Sequence, residues 1–335
     1  MLTLVFAAVI FAPTQDWVVY EGASGPGKGK HVVFLAGDEE YRSEEGLPQL
    51  ARILAVRHGF KCTVLFSLNA RGEIDPNTRD HQPGLEALDS ADLCVMLLRF
   101  REWPDAQMRH FADYYLAGKP IIALRTSTHA FNYAPTSQSA YRRFSWQSTE
   151  WPGGFGKQVL GETWISHWGV HARQATRGVL EQVAANHPIL RGVKGLFGTS
   201  DVYEAAPPQD AEVLVRGEVL DGMKPTDPPA TGRKKTAQGV EQAVNAPMMP
   251  VVWVRRHLNQ AGKTNPILTT TMGAATDLLN EDLRRLLVNG AYWAVGLEAK
   301  IPGRADVELV GAYAPSAFGF EGFRKGVKPG DLKES

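Results

Sequence analysis

The residues able to do chemistry are gathered in four polar loops, each close behind an apolar run. The first is GDEEYRSEE at 37–45, with five carboxylates in nine residues. Carboxylates this close repel one another and need cations, protons or polar ligands to offset the repulsion. Asp38 and Glu39, with Tyr41 beside them, suit acid/base work, sugar-hydroxyl binding or a metal. Glu44 and Glu45 suit the start of a helix, where the dipole favours negative charge. The second loop is Arg99-Phe100-Arg101, which can clamp an anion or pair with the acidic loop. The third, LRTSTHAFNY at 124–133, offers Arg125 for binding and His129 as a ligand or proton carrier. Ser127 is a weak nucleophile candidate, because Thr-Ser-Thr has no glycine to permit a sharp elbow. The fourth, GETWISHWGVH at 161–171, places His167 and His171 four residues apart, a spacing that can bring two imidazoles to one metal. Glu162, Trp164 and Trp168 in that loop could hold a sugar, whose C–H faces stack on indole rings.

These loops set the expected site. Asp38, Glu39 and His129 are the catalytic candidates. Tyr41, Arg99, Arg125, Glu162, Trp164 and Trp168 are the candidates for substrate binding. His129, His167 and His171 are the candidates for holding zinc, manganese or iron, although the residues leave the cofactor open.

The elements that must position them read as strands and helices in alternation. Apolar runs at 31–36, 61–66, 92–98 and 120–124 are of strand length and read as buried parallel strands. A helix at 46–58 carries Leu47, Leu50 and Leu54 on one face, with Pro48 in its first turn and Gly59 at its end. A second helix opens at Pro104 and Asp105 and buries Met108, Phe111 and Tyr115. The alternation predicts a doubly wound, mostly parallel α/β sheet. In such sheets ligands bind beyond the carboxyl ends of the strands, which is where the four loops lie. Residues 126–172 show no clean period. Further strands are expected at 201–204, 212–216, 250–254 and 266–271, an exposed insertion near 221–247, a helix at 281–295, and a surface-wrapping tail from 301.

Composition narrows the function classes. The chain has 335 residues with 36 Lys plus Arg against 36 Asp plus Glu. That balance gives nucleic acid no electrostatic footprint. The apolar run at 2–12 is too short to span a bilayer and has the length of a signal-peptide core, so residues 1–15 are read as a signal peptide and the protein as exported (periplasmic or secreted), the alternative being a short buried strand in a cytoplasmic protein. No other segment reads as a membrane span. Cys62 and Cys94 lie in strands expected to sit roughly 10 Å apart, beyond the limit of about 7 Å for a disulfide, so both should be free thiols.

Several segments taken together resemble the ThuA-like (trehalose-utilisation) family of the class I glutamine-amidotransferase-like superfamily. They are GDEEYRSEEGLPQLARIL, GKPIIALRTSTHAFNY, WPGGFGKQVLGETWISHWGVH, NHPILRG with SDVYE downstream, and PILTTTMGAATDLLNEDLRRLLVNGAYWAVGLE. The resemblance implies an amidotransferase-like (flavodoxin-like) single domain over 16–335. It also implies a link to sugar metabolism through trehalose and 3-keto disaccharides, and metal binding through histidines in some relatives. Asp201 and Glu204 match an acidic strand of the family, and His187-Pro188 reads as a turn device. Two departures matter. The elbow has no cysteine, which removes glutamine amidotransfer, and Met272-Gly273-Ala274-Ala275 carries no histidine where many relatives have one. The expectation is therefore an enzyme that hydrolyses, isomerises or eliminates from a carbohydrate or keto-sugar. The alternative is a non-catalytic sugar-binding or scaffold protein. A small carbohydrate is the expected partner, and a homo-oligomer is left open.

Overall fold

The computed structural model describes residues 15–333, so the expected signal peptide lies, but for its last residue, outside the described residues. The chain enters on β1 (Trp17–Tyr20) and reaches β2 (His31–Gly37). Val32, Phe34 and Ala36 of β2 pack into one apolar cluster and Val33 and Leu35 into another, the period-two alternation of a strand covered on both faces. Helix α1 (Ser43–His58) starts three residues earlier than expected, so Pro48 lies inside it rather than in its first turn. It has Glu44 and Glu45 at its positive end, Arg57 and His58 at its negative end, and Gly59 as a left-handed cap. There follow β3 (Lys61–Phe66), β4 (Leu93–Leu98), α2 (Asp105–Leu116) and β5 (Ile121–Leu124).

After β5 the chain runs irregularly through short 3-10 and π turns to β6 (Thr176–Leu180) and β7 (Phe197–Gly198). Then come β8 (Glu212–Val219), the hairpin β9 (Arg233–Lys235) and β10 (Glu241–Ala243), the long β11 (Met249–Leu258), β12 (Thr264–Thr270) and α3 (Glu281–Ala294). All strands but β9 and β10 form one sheet in the order β1-β3-β2-β4-β5-β12-β11-β8-β6-β7. Strands β3, β2, β4, β5 and β12 pair in parallel, and every other pairing is antiparallel. The sheet is thus mixed, with a parallel half and an antiparallel half, rather than mostly parallel. Helices α1 and α3 cover one face of the parallel half and α2 the other, so residues from both faces are fully buried.

Three readings need correction. Residues 201–204 are buried coil with a single bridge, His167 to Tyr203, because their polar side chains serve the site instead of alternating across a sheet. Strands β1 and β6 were not expected; both are short and half-exposed. The insertion at 221–247 is not wholly exposed, since Ala230 and Val244 join the core. Cys62 and Cys94 are free and buried on β3 and β4, with β2 between them. No helix among the described residues is long and apolar enough to cross a membrane.

Candidate functional site

The parallel strands deliver their following loops to one edge of the sheet. The chain leaves β2 for β3 on one side and returns at β4 on the other, the switch point at which sheets of this kind place a ligand crevice, between the loops after β2 and β4. Asp38 organises the first of these loops. One carboxylate oxygen accepts the amides of Glu40 (2.6 Å) and Tyr41 (3.2 Å), and the other accepts the Thr126 hydroxyl. Its own amide donates to Ser43 Oγ at 2.8 Å. Asp38 is fully buried, and burial, reinforced by the negative charges of Glu39 and Glu40, raises its pKa to about 7 despite the Thr126 hydrogen bond.

Asp201 is the hub of the site. It is wholly buried, and its Oδ1 lies 2.7 Å from Arg125 in an ion pair with no solvent exposure on either side. The Arg125 guanidinium lies 3.6 Å from the Tyr203 ring centre and 4.5 Å from that of Tyr41, and it donates to the Tyr41 hydroxyl at 2.9 Å. Asp201 Oδ2 meets His167 Nδ1 at 2.8 Å, and Oδ1 meets His171 Nδ1 at 3.4 Å. On its other side His171 Nε2 faces Glu40 at 3.7 Å. Burial pushes the Asp201 carboxyl up, but Arg125 and the two histidines override it and hold the pKa well below the usual carboxylate range. His167 and His171 have side chains 31% and 24% exposed, so both face solvent while resting on a buried anion. Their loop is fixed from behind. The amides of Trp168 and Gly169 donate to the Val202 carbonyl, and Lys234 of the β9–β10 hairpin donates to the carbonyls of His167 (2.8 Å) and Trp168 (2.9 Å).

Around this hub runs a rim of aromatic and ionic side chains. Arg99 pairs with Glu39 (2.5 Å) and Glu40 (3.3 Å) and lies over the rings of Phe100 and Phe320. His129 is caged by Phe100, Trp146 and Trp164. Burial, then the nearby cations Arg99 and Arg125, push its pKa well below the usual imidazole value, so it is neutral. Trp164 spans from His129 to His167, with ring centres 5.9 and 5.8 Å away. The C-terminal tail closes the far side: Phe318 packs on Tyr41 and His171, and Phe320 on His171. Arg42 ties this tail down through the carbonyls of Gly319 and Gly322. The non-glycine residues with positive φ among the described residues are Arg42, Phe100, Arg125, Ala172 and Glu321. Each lies in or next to a segment that builds this site. Such strain persists only where the surroundings over-determine it, and it concentrates at functional sites.

The structure sorts the expected residues. Tyr41, Arg125, His167 and His171 come together, and Glu39, Arg99, His129 and Trp164 line the rim. The histidine trio is corrected: the groups that converge for a metal are His167, His171 and Asp201, with ligand atoms all within 4.8 Å. His129 stands outside that set, with Trp164 packed between it and His167. Trp168 is a core residue, buried with its indole N–H on the Val244 carbonyl. Glu162 is also buried; it accepts Lys157 and the amides of Thr163 and Ala206, which makes it a turn device. Arg101 is buried among the carbonyls of Arg99, Pro76 and Thr78 and does not join Arg99 in a clamp. Sequence reasoning missed Glu40 as a partner of His171, Tyr203 as the second face on Arg125, and Trp146, Phe318 and Phe320 on the rim. Glu40 stood in the acidic loop and Tyr203 in the SDVYE segment, but no local signal pointed to Trp146, Phe318 or Phe320.

No family model and no curated protein matches the chain. Among solved structures, one described as a ThuA-like protein, from Parabacteroides merdae, aligns with a TM-score of 0.50 and 14% identity over 92% of this chain and 100% of that one. Another so described, from Bacteroides uniformis, gives 0.49 and 16% identity over 81% and 93%. At such identity the likeness speaks for the fold alone: this chain is similar in fold to the ThuA-like protein from Parabacteroides merdae.

Proposed function

We propose that the protein is an enzyme acting on a carbohydrate or keto-sugar, with proton transfer centred on His167 and His171. The observation that carries this reading is Asp201, a buried anion held by Arg125 and shared between two solvent-facing imidazoles. Because Asp201 stays ionised it can only accept, so the proton on the His167–Asp201 hydrogen bond sits on His167 Nδ1. When the imidazole is neutral, this tautomer keeps the lone pair on Nε2, the form required of a general base. Removing a proton from a carbon beside a sugar carbonyl, or from a sugar hydroxyl, is within reach of such a group. Glu39, Glu40 and Arg99 supply acceptors and a donor for hydroxyls, and Phe100, Trp146, Trp164, Phe318 and Phe320 supply half-buried or exposed ring faces for the C–H side of a sugar. Asp38, with one oxygen on the amides of its own loop and the other on the Thr126 hydroxyl after β5, acts as a positioning residue.

The same residues fit a divalent cation. Two imidazoles and a carboxylate that stays ionised are a donor set that zinc, manganese or iron accepts, and His167, His171 and Asp201 would hold the ion. A bound cation would polarise a carbonyl oxygen or acidify a water. The strand order β3-β2-β4-β5-β12 supports a flavodoxin-like winding of the parallel half, with 16–335 as one amidotransferase-like domain.

The test is proton exchange. The purified protein, as isolated and with each metal added, is incubated with 3-keto-glucosides in deuterated water and followed by NMR. Wild type should exchange or eliminate at the carbon beside the carbonyl, and Asp201→Asn should lose at least 100-fold of that rate. Saturable sugar binding without exchange would favour the sugar-binding alternative, which the aromatic rim also suits. Neither binding nor exchange would end the carbohydrate reading.

A further inference from the structure

His129 takes no part in the proton transfer described above, yet its ring is built into the rim with care. The residue is only 4% exposed. Thr128 Oγ1 lies 3.3 Å from the Arg125 carbonyl, which can only accept, so the hydroxyl proton goes there. The same oxygen then accepts from His129 Nδ1 at 3.2 Å, and Nε2 is left with the lone pair of a neutral imidazole. No described residue hydrogen-bonds Nε2, and the atom is not sealed in: it keeps solvent-accessible surface. Phe100, Trp146 and Trp164 stand around the ring with centres 5.1, 6.2 and 5.9 Å away, and each of the three is itself half-exposed. Phe100 is brought there by a backbone at φ 56°, pinned by its amide on the His129 carbonyl at 3.1 Å. A bulky residue at positive φ is strained, and such strain concentrates where it serves a site.

An acceptor buried this far is costly unless a donor reaches it. The surroundings choose the donor. A cation would join Arg99 and Arg79, whose guanidiniums already lie 4.6 and 5.8 Å from the Phe100 ring centre. An anion would meet the lone pair of Nε2. A metal ion would find a single ligand atom, because the group of histidines and carboxylate that converges among the described residues leaves His129 out. What fits is a neutral O–H donor on a body with C–H faces for the rings, which describes a hydroxyl of a sugar ring. Trp164 also packs against His167, with ring centres 5.8 Å apart, so a hydroxyl held at His129 lies beside the proton-transfer pair and not on it.

We propose that His129 Nε2, framed by Phe100, Trp146 and Trp164, is a specificity-determining subsite that accepts a hydrogen bond from one ring hydroxyl of the sugar. The subsite rests on the carbohydrate reading above. The experiment is calorimetric titration of the full chain with methyl 3-keto-glucoside and its monodeoxy forms, for wild type and for His129→Phe, which keeps an aromatic ring in the cluster and removes the acceptor. At least one deoxy form should bind wild type about 5–10-fold more weakly than the parent sugar, and His129→Phe should bind those two sugars alike. In wild type the nitrogen-15 resonance of His129 Nε2 should move upfield on binding the parent and stay in place with that deoxy form. A role in packing alone would not produce that difference, and the measurement stands even if the variant does not fold. Sugar binding with an unmoved Nε2 resonance, or with every deoxy penalty persisting in a folded His129→Phe, would overturn the subsite and leave the carbohydrate reading intact. No binding of the parent sugar by wild type would overturn both.

Discussion

At the scale of single residues, the site depends on one buried ion pair. Arg125 and Asp201 have no solvent exposure, and Arg125 is compressed between two tyrosine rings. Such a pair adds little net stability when intact, because two desolvations offset its attraction. Breaking one half leaves a bare charge in the interior. Arg125→Leu should therefore destabilise the fold by about 3–5 kcal/mol, read as a lower denaturation midpoint with an unchanged slope. A double replacement, Arg125→Leu with Asp201→Leu, should recover a good part of that loss while abolishing any activity. A double variant no more stable than the single one would mean that the pair does not carry the site. Little of this was legible beforehand. Arg125 and Asp201 are 76 positions apart, and their partnership depends on a chain path that no local spacing encodes. His167 and His171 were legible, because a four-residue spacing is local. The third member of their set was less so: Asp201 stood out only by its match to an acidic strand of the family, and His129, in the loop after the fourth strand, took its place.

At the scale of elements, the parallel half was readable because buried strands and amphipathic helices write themselves in apolar periods. β3 falls at its expected bounds, and α2, β4, β5 and α3 within a residue or so. The antiparallel half and the irregular 126–172 segment were less readable, because there polar side chains are buried to serve loops, and burial no longer tracks hydropathy. The β9–β10 hairpin shows the consequence. It reads as an exposed basic insertion, yet Lys234 reaches under the His167 loop and ties two of its carbonyls. A hydrogen bond to a charged group contributes roughly 1.5–3 kcal/mol, and half-exposure trims that toward the lower end. Lys234→Ala should lower the local opening free energy of 164–171 by about 1–2 kcal/mol, speeding exchange of the Trp168 and Gly169 amides some 5–30-fold. The amides of α3 should be unaffected. Equal acceleration in both places would mean that the hairpin supports the whole fold and not the site.

At the scale of the whole molecule, the arrangement that opens the crevice should leave a mark on stability against pH. Asp38 ends β2 and holds the loop around which the sheet reverses, and it does so fully buried, with a pKa near 7 against 3.8 for an ordinary aspartate. Between those values the native state keeps a proton that the unfolded chain has released. Its contribution therefore falls as pH rises from about 4 to about 7 and is level above. At about 1.4 kcal/mol per unit the full change is roughly 4 kcal/mol. Glu44, also raised, bends the curve the same way. His129, held neutral, bends it the other way, because the unfolded chain takes up a proton below about 6.5 that the native imidazole refuses. The wild-type curve alone therefore mixes opposing slopes, and the informative quantity is wild type minus Asp38→Asn. Asparagine can still accept the Glu40 and Tyr41 amides through its carbonyl oxygen, so the loop should keep its shape while losing its titration. Denaturant unfolding of both proteins at half-unit steps from pH 4 to 8.5 should show wild type losing ground to the variant up to about pH 7 and running parallel beyond. A flat difference would place Asp38 ionised throughout, with Arg99 able to compensate it, and the acidic loop would then carry one more fixed negative charge into the crevice than its burial suggests.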